Sequence, residues 1–95
     1  MVIDVSLNAD GMTVAIGVHS NSSDHDRVEI YDFNGTNWIQ RGIDINGGIG
    51  DENFGIKVSI SADGNRIAVF DPNGPGTVIY DFIDGTTYFI PSYSG

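Results

Sequence analysis

The sequence predicts an all-β protein built from two copies of one four-stranded antiparallel unit. Three observations predict it. Apolar and polar residues alternate at the strand period, as in Val28, Ile30 and Phe33 against Glu29 and Asp32, while no window repeats apolar residues at the helical period. Thirteen glycines, three prolines and recurrent Asp-Gly and Asn-Gly pairs mark many short strands joined by tight turns. Two phrases occur twice. "VSLNADGMTVAI" (5–16) aligns with "VSISADGNRIAV" (58–69) at an offset of 53, and "EIYDFNGTNW" (29–38) aligns with "VIYDFIDGTTY" (78–88) with one residue inserted.

Each copy reads as four strands. The first copy gives Ile3–Leu7, a turn at Asn8-Ala9-Asp10-Gly11, Thr13–Gly17, an irregular loop, Arg27–Phe33, an Asn34-Gly35 turn and Asn37–Arg41. The second gives Ile56–Ser61, a turn at Ala62-Asp63-Gly64, Arg66–Phe70, Thr77–Phe82, a turn at Asp84-Gly85 and Thr86–Ile90. Gly11 and Gly64 supply the positive φ that tight hairpins need. Asp10 and Asp63 are read as turn formers whose carboxylates accept backbone hydrogen bonds, in preference to a catalytic pair.

A repeated four-stranded unit of this size predicts β-propeller blades. Blade 1 takes residues 1–41, a linker 42–54, blade 2 residues 55–91 and a tail 92–95. The apolar runs "VAI" and "IAVF" in the second strands fit sheets covered on both faces. Two blades bury one interface and leave two apolar faces open, more than soluble monomers usually show. Closed propellers hold about 4–8 blades, so a ring requires further copies joined head to tail. A homotrimer with six blades is the preferred expectation, with eight or four blades next; the alternative is that these blades are a piece of a longer propeller.

The motifs resemble FG-GAP-like propeller repeats over nearly the whole chain. Phe54-Gly55 followed by Val58 matches the family's opening, and Ala68-Val69-Phe70-Asp71-Pro72 and Ala15-Ile16-Gly17 stand where its "GAP" follows the second strand. Trp38, Gln40, Gly42, Asp51, Phe54, Gly55 and the Ser61–Gly64 turn match a bacterial and viral subtype of the pattern. The resemblance implies propeller blades. The calcium loop of integrin-type members does not carry over, because short "NADG" and "SADG" turns replace its spaced aspartates.

Composition narrows the partners. Four basic residues against thirteen acidic ones give a net charge of −9, which disfavours nucleic acid and anionic membrane surfaces. There is no cysteine, hence no disulfide and no thiolate site. The sequence shows no signal-peptide pattern and no run near the roughly 20 apolar residues of a membrane span, so a soluble protein is expected, its compartment unspecified.

Blade topology predicts that the loop after strand two and the linker share one rim, which becomes the binding face. Its candidates are His19, Asp24, His25 and Asp26; Asp44, Asn46, Asp51 and Glu52; and Asp71 and Asn73. Imidazole and carboxylate ligands occur in the first group, yet adjacent loop residues do not converge on a metal by default. Asp44, Asn46, Asp51 and Glu52 offer hard oxygens of the kind calcium takes, without the EF-hand spacing, so a structural turn is preferred. Trp38 and Tyr88, and Phe33 and Phe82, fall at equivalent places and are read as packing between blades. No serine, histidine and carboxylate stand at triad spacing. The expected function is a non-enzymatic oligomeric binding or structural module, with glycans as a partner the rim loops suit through multivalency. The alternatives are a hydrolase or lyase using rim carboxylates at subunit junctions, and an assembly component without its own ligand.

Overall fold

In a computed structural model of the chain, residues 1–19, 26–47, 54–72, 76–82 and 89–94 are described. They form antiparallel sheets without a helix. The first sheet takes β1 (Val2–Leu7), β2 (Thr13–Val18), β3 (Arg27–Phe33) and β4 (Trp38–Gln40) in that order, with a short β5 (Ile45–Asn46) paired to the start of β3. The second sheet takes β6 (Lys57–Ile60), β7 (Arg66–Asp71), β8 (Gly76–Phe82) and β9 (Phe89–Ser94) in order.

The repeat is visible in the register. Val14 faces Tyr31 across β2–β3, and Ile67 faces Tyr80 across β7–β8. The first hairpin closes with Asn8 N–H donating to the Thr13 carbonyl and Thr13 N–H to Asn8 Oδ1. At the equivalent place, Ser61 N–H donates to the Arg66 carbonyl and Arg66 N–H to Ser61 Oγ. Different side chains thus satisfy the same pair of backbone groups, which leaves neither exposed without a partner.

Two stretches differ from the sequence expectation. The linker is partly structured: Ile45–Asn46 adds to β3, and both Ile45 and Phe54 enter the core. β9 begins at Phe89 and runs to Ser94, past the strand end expected at Ile90, with Pro91, Tyr93 and Ser94 paired to β8. A register shift between Ile79 and Tyr80 accommodates Pro91, which cannot donate to the ladder.

The sheets pack through β1, β2 and β6. β1 and β6 lie side by side in parallel, with Val58 N–H donating to Asp4 Oδ2 at 2.8 Å and Ile60 N–H to Ser6 Oγ at 3.2 Å. Side chains of one sheet therefore cap the inner edge of the other, where unpaired N–H groups would otherwise attract another strand. The turns meet as well: Ala9 N–H and Asn8 Nδ2 donate to the Ala62 carbonyl. Between the sheets lie Ala15, Val28 and Ile30 from the first and Val58, Ile67 and Val69 from the second. Gly17 allows the closest approach: a Cβ there would overlap the Gly55 carbonyl oxygen. Gly55, at φ +79°, can follow Phe54 into this joint, and its own Cβ would meet Val28 Cγ2 at 2.9 Å.

Candidate functional site

Two regions of the surface carry chemistry. The first is the end of the sheets where β2 stops and β3 starts. His19 and Met1 exchange backbone hydrogen bonds there, and Gly47 N–H donates to the Asp26 carbonyl. The β2 end, the β3 start and the linker are therefore side by side. Asp26 is buried, with Oδ2 at 3.0 Å from His19 Nδ1. Asp44 Oδ1 accepts from Gln40 Nε2, and its Oδ2 lies 3.8 Å from Arg27 Nε. Asn46 is exposed on β5, opposite Arg27.

Asp71 ends β7 opposite Gly76 and is buried at the corresponding end of the second sheet. Asp24, His25, Asp51, Glu52 and Asn73 lie outside the described residues, as do the Asp84-Gly85 turn and Tyr88. Among the described residues no three His, Asp or Glu side chains gather as a metal site. The structure thus joins His19 to Asp26 and brings Asp44 near Arg27, without drawing these two pairs onto one point.

At the opposite end sit the turns. Asp10 Oδ1 accepts from Met12 N–H, and Asp63 Oδ1 from Asn65 N–H and Ser61 Oγ. The Ser61 hydroxyl, followed by the Asn65 amide, holds the Asp63 carboxyl below its usual value. Gly11 and Gly64 have φ of +73° and +79°. These aspartates accept hydrogen bonds inside their own turns through Oδ1, as turn-forming carboxylates do.

The second region is the face of the first sheet turned away from the second. For brevity we call the corresponding face of each sheet its front; the second sheet's front meets the first sheet's back. On the first sheet the front carries Val5, Leu7, Val14, Ile16 and Val18, which line an open groove of about 640 Å3. One wall is polar: Glu29 Oε2 accepts from Arg27 Nε at 2.6 Å and Oε1 from the Tyr31 hydroxyl at 2.6 Å. Burial opposes the Glu29 charge, but the Tyr31 and Arg27 hydrogen bonds outweigh it and hold the carboxyl below its ordinary value. The Glu29 contact in turn raises Tyr31. Trp38, tilted against Phe33 with ring centroids 5.1 Å apart, also lines the groove.

Arg41 was not singled out by the sequence. It binds Asp32 through Nε and Nη2, donates from Nη1 to the Gly64 carbonyl and to Asn65 Oδ1, and lies over the Phe82 ring at 5.0 Å. One guanidinium fork thereby ties the first sheet to the second hairpin. The signal available was the Asp32–Asp81 match: Asp81 takes Arg66 from its own sheet, whereas the equivalent of Arg66 in the first sheet is Thr13, whose hydroxyl donates to Asp32 Oδ1. No protein-family model, curated protein or solved structure matches the chain, and among the described residues no helix is long and apolar enough to cross a membrane.

Proposed function

We propose that each sheet is a propeller blade and that the chain works as a non-enzymatic subunit of a self-assembled ring, three copies making six blades. The observation that carries this reading is the equivalence of the two fronts. The second sheet buries Val58, Ile67 and Val69 against the first; the matching residues Val5, Val14 and Ile16 line the open groove. Exposure follows: Val58 is 8% exposed and Val5 53%, while Leu7, equivalent to Ile60, is 57% exposed. A joint that exists once in a repeated unit, with its second half unused, is a heterologous interface awaiting another copy.

In this reading the ring displays several identical ends bearing the His19–Asp26 pair, Asp44 and Asn46. Hydroxyl-rich glycans suit such hydrogen-bonding groups, and repetition raises weak affinities by avidity. Native mass spectrometry tests the assembly: a mass of three times 10.2 kDa supports it, and a persistent 10.2 kDa species overturns it. A glycan array then tests the ligand class, with binding expected to fall on His19→Ala and to survive Asp63→Ala in the opposite turn.

A further inference from the structure

We propose that the chain, whatever its state of assembly, modifies itself at Asn34-Gly35, where the turn between β3 and β4 converts its own asparagine to aspartate and isoaspartate. The Gly35 nitrogen loses its proton to water or hydroxide and attacks Asn34 Cγ. The Cγ–Nδ2 bond breaks, and Nδ2 leaves as ammonia. Water then opens the resulting succinimide at either carbonyl, giving aspartate or, with the main chain rerouted through Cγ, isoaspartate. Water is the only reagent consumed. The step needs a glycine N–H that is accessible and unengaged, a turn free to bend, and an electron-poor amide carbon.

The fold separates the pairs that could react in this way. In Asn46-Gly47, Gly47 is buried and its N–H donates to the Asp26 carbonyl at 3.0 Å, while Asn46 lies in β5 opposite Arg27. In the Asp10-Gly11 and Asp63-Gly64 turns the same attack would start from a carboxyl. There Gly11 N–H donates to the Asn8 carbonyl and Gly64 N–H to the Ser61 carbonyl. Asn73-Gly74 lies outside the described residues. Gly35 differs from all three described glycines. It is exposed, and among the described residues its N–H has no acceptor. Nothing lies within 4 Å of the place a side chain would take, and its φ of +101° is one that glycine adopts without strain.

The turn also prepares the reacting amide. Asn34 Oδ1 accepts from Thr36 N–H at 2.9 Å and from Asn37 N–H at 2.8 Å. Two donors on one carbonyl oxygen draw electron density from Cγ. They also stand where negative charge gathers as the Gly35 nitrogen adds, which is the arrangement of an oxyanion hole. The consequence falls on β4. Asn34 N–H donates to the Asn37 carbonyl, and this closure sets Trp38 opposite Phe33. Isoaspartate adds a methylene to the main chain inside that closure, just ahead of Trp38 and of Arg41, whose guanidinium ties the two sheets together. Either product adds one negative charge to a chain of net charge −9.

Peptide mapping of the folded chain tests this. The protein is held at neutral and mildly alkaline pH and digested with trypsin, and peptides 28–41 and 42–57 are followed by mass, with fragmentation assigning the residue. Deamidation at Asn34 is expected to be at least about tenfold faster than at Asn46, because reaction at Asn46 first requires β5 to open. The rate should rise with pH, and an isoaspartate-specific methyltransferase should label residue 34. In denaturant, where no structure shields either pair, the difference should vanish. Equal rates in the folded protein, a faster Asn46, or an Asn34 that is inert when folded and reactive when denatured overturns the proposal. Asn34→Gln gives a second arm, since glutamine closes the corresponding ring far more slowly. Loss of the mass gain in peptide 28–41 supports the assignment; a gain that persists belongs to Asn37 and overturns it.

Discussion

The two fronts share a pattern and differ in what they meet. In the second sheet Val58, Ile67 and Val69 are buried against the first sheet and Val78 is buried beside them, and in the first sheet Val5, Val14, Ile16 and Glu29 occupy the same places around an open groove. Three apolar positions are retained, although among the described residues Val5 stays 53% exposed while Val14 is buried. The fourth changes sign, from Val78 to a hydrogen-bonded glutamate. Among the described residues, burial accounts for the second front more fully than for the first, where Val5 and Leu7 stay exposed. The contrast teaches that a repeat can keep the same apolar pattern on a face that is closed in one copy and half open in the other.

The backs sharpen this most strongly. Gly17→Ala is expected to cost about 3 kcal/mol, because the new methyl would strike the Gly55 carbonyl, and backbone cannot move aside as a flexible side chain can. The equivalent Phe70→Ala change is expected to stay within about 0.5 kcal/mol for the single chain, as its ring is exposed there. Chemical denaturation at the lowest workable concentration measures both. Similar costs at the two positions would break the distinction between a closed and an open back.

Of this geometry, the repeat was the legible part. The turns at Asp10 and Asp63, and most strand limits in the first sheet, depend on residues within a few positions of each other, and local patterning carries that information. β5 was hidden because Ile45–Asn46 is too short for alternation to register and pairs only because β3 offers it an edge. Phe54 read as part of a linker motif, yet its burial comes from a core that includes Ala15, Val28 and Ile30, distant in sequence. Arg41 stood at a strand end, where an arginine usually means solvent; its four partners come from Asp32, Gly64, Asn65 and Phe82, which only tertiary structure assembles. For the rim, the legible clue was composition; which carboxylate meets which partner, His19 with Asp26 and Gln40 with Asp44, depends on tertiary structure.

A matched pair on the fronts gives the next effect. Val58→Ala should cost about 2 kcal/mol, since two methyl groups leave a closed contact. Val5→Ala should change the stability of the isolated chain by under about 0.5 kcal/mol. In an assembled ring the two costs should converge, because Val5 would then be covered as Val58 is. A thermal scan against protein concentration checks this: the Val5→Ala deficit should grow with concentration and the Val58→Ala deficit should not. A Val5→Ala deficit that is already large on dilution would mean that the groove is closed within the single chain.

The smallest expected effect lies at Glu29, where the open front departs from the closed one. Its carboxyl is held below the ordinary 4.5 by hydrogen bonds from Tyr31 and Arg27, against the cost of partial burial. A folded-state pKa below the unfolded one means that ionised Glu29 stabilises the fold fully above pH 4.5 and loses that contribution as the pH falls through the folded value. Glu29→Gln should therefore lower stability by under about 1 kcal/mol at neutral pH, solvent screening keeping the effect small. The gap between the two proteins should close on acidification below 4.5. Glutamine keeps the shape and an acceptor for the Tyr31 hydroxyl but loses the charge that pairs with Arg27, so melting temperatures measured across this range isolate the ion pair. If the gap instead widened in acid, Glu29 would be better bound protonated, and the polar wall of the groove would have to be read as a strained charge. A satisfied glutamate is also one that a second copy could cover, because burial is costly chiefly for a charge left without partners.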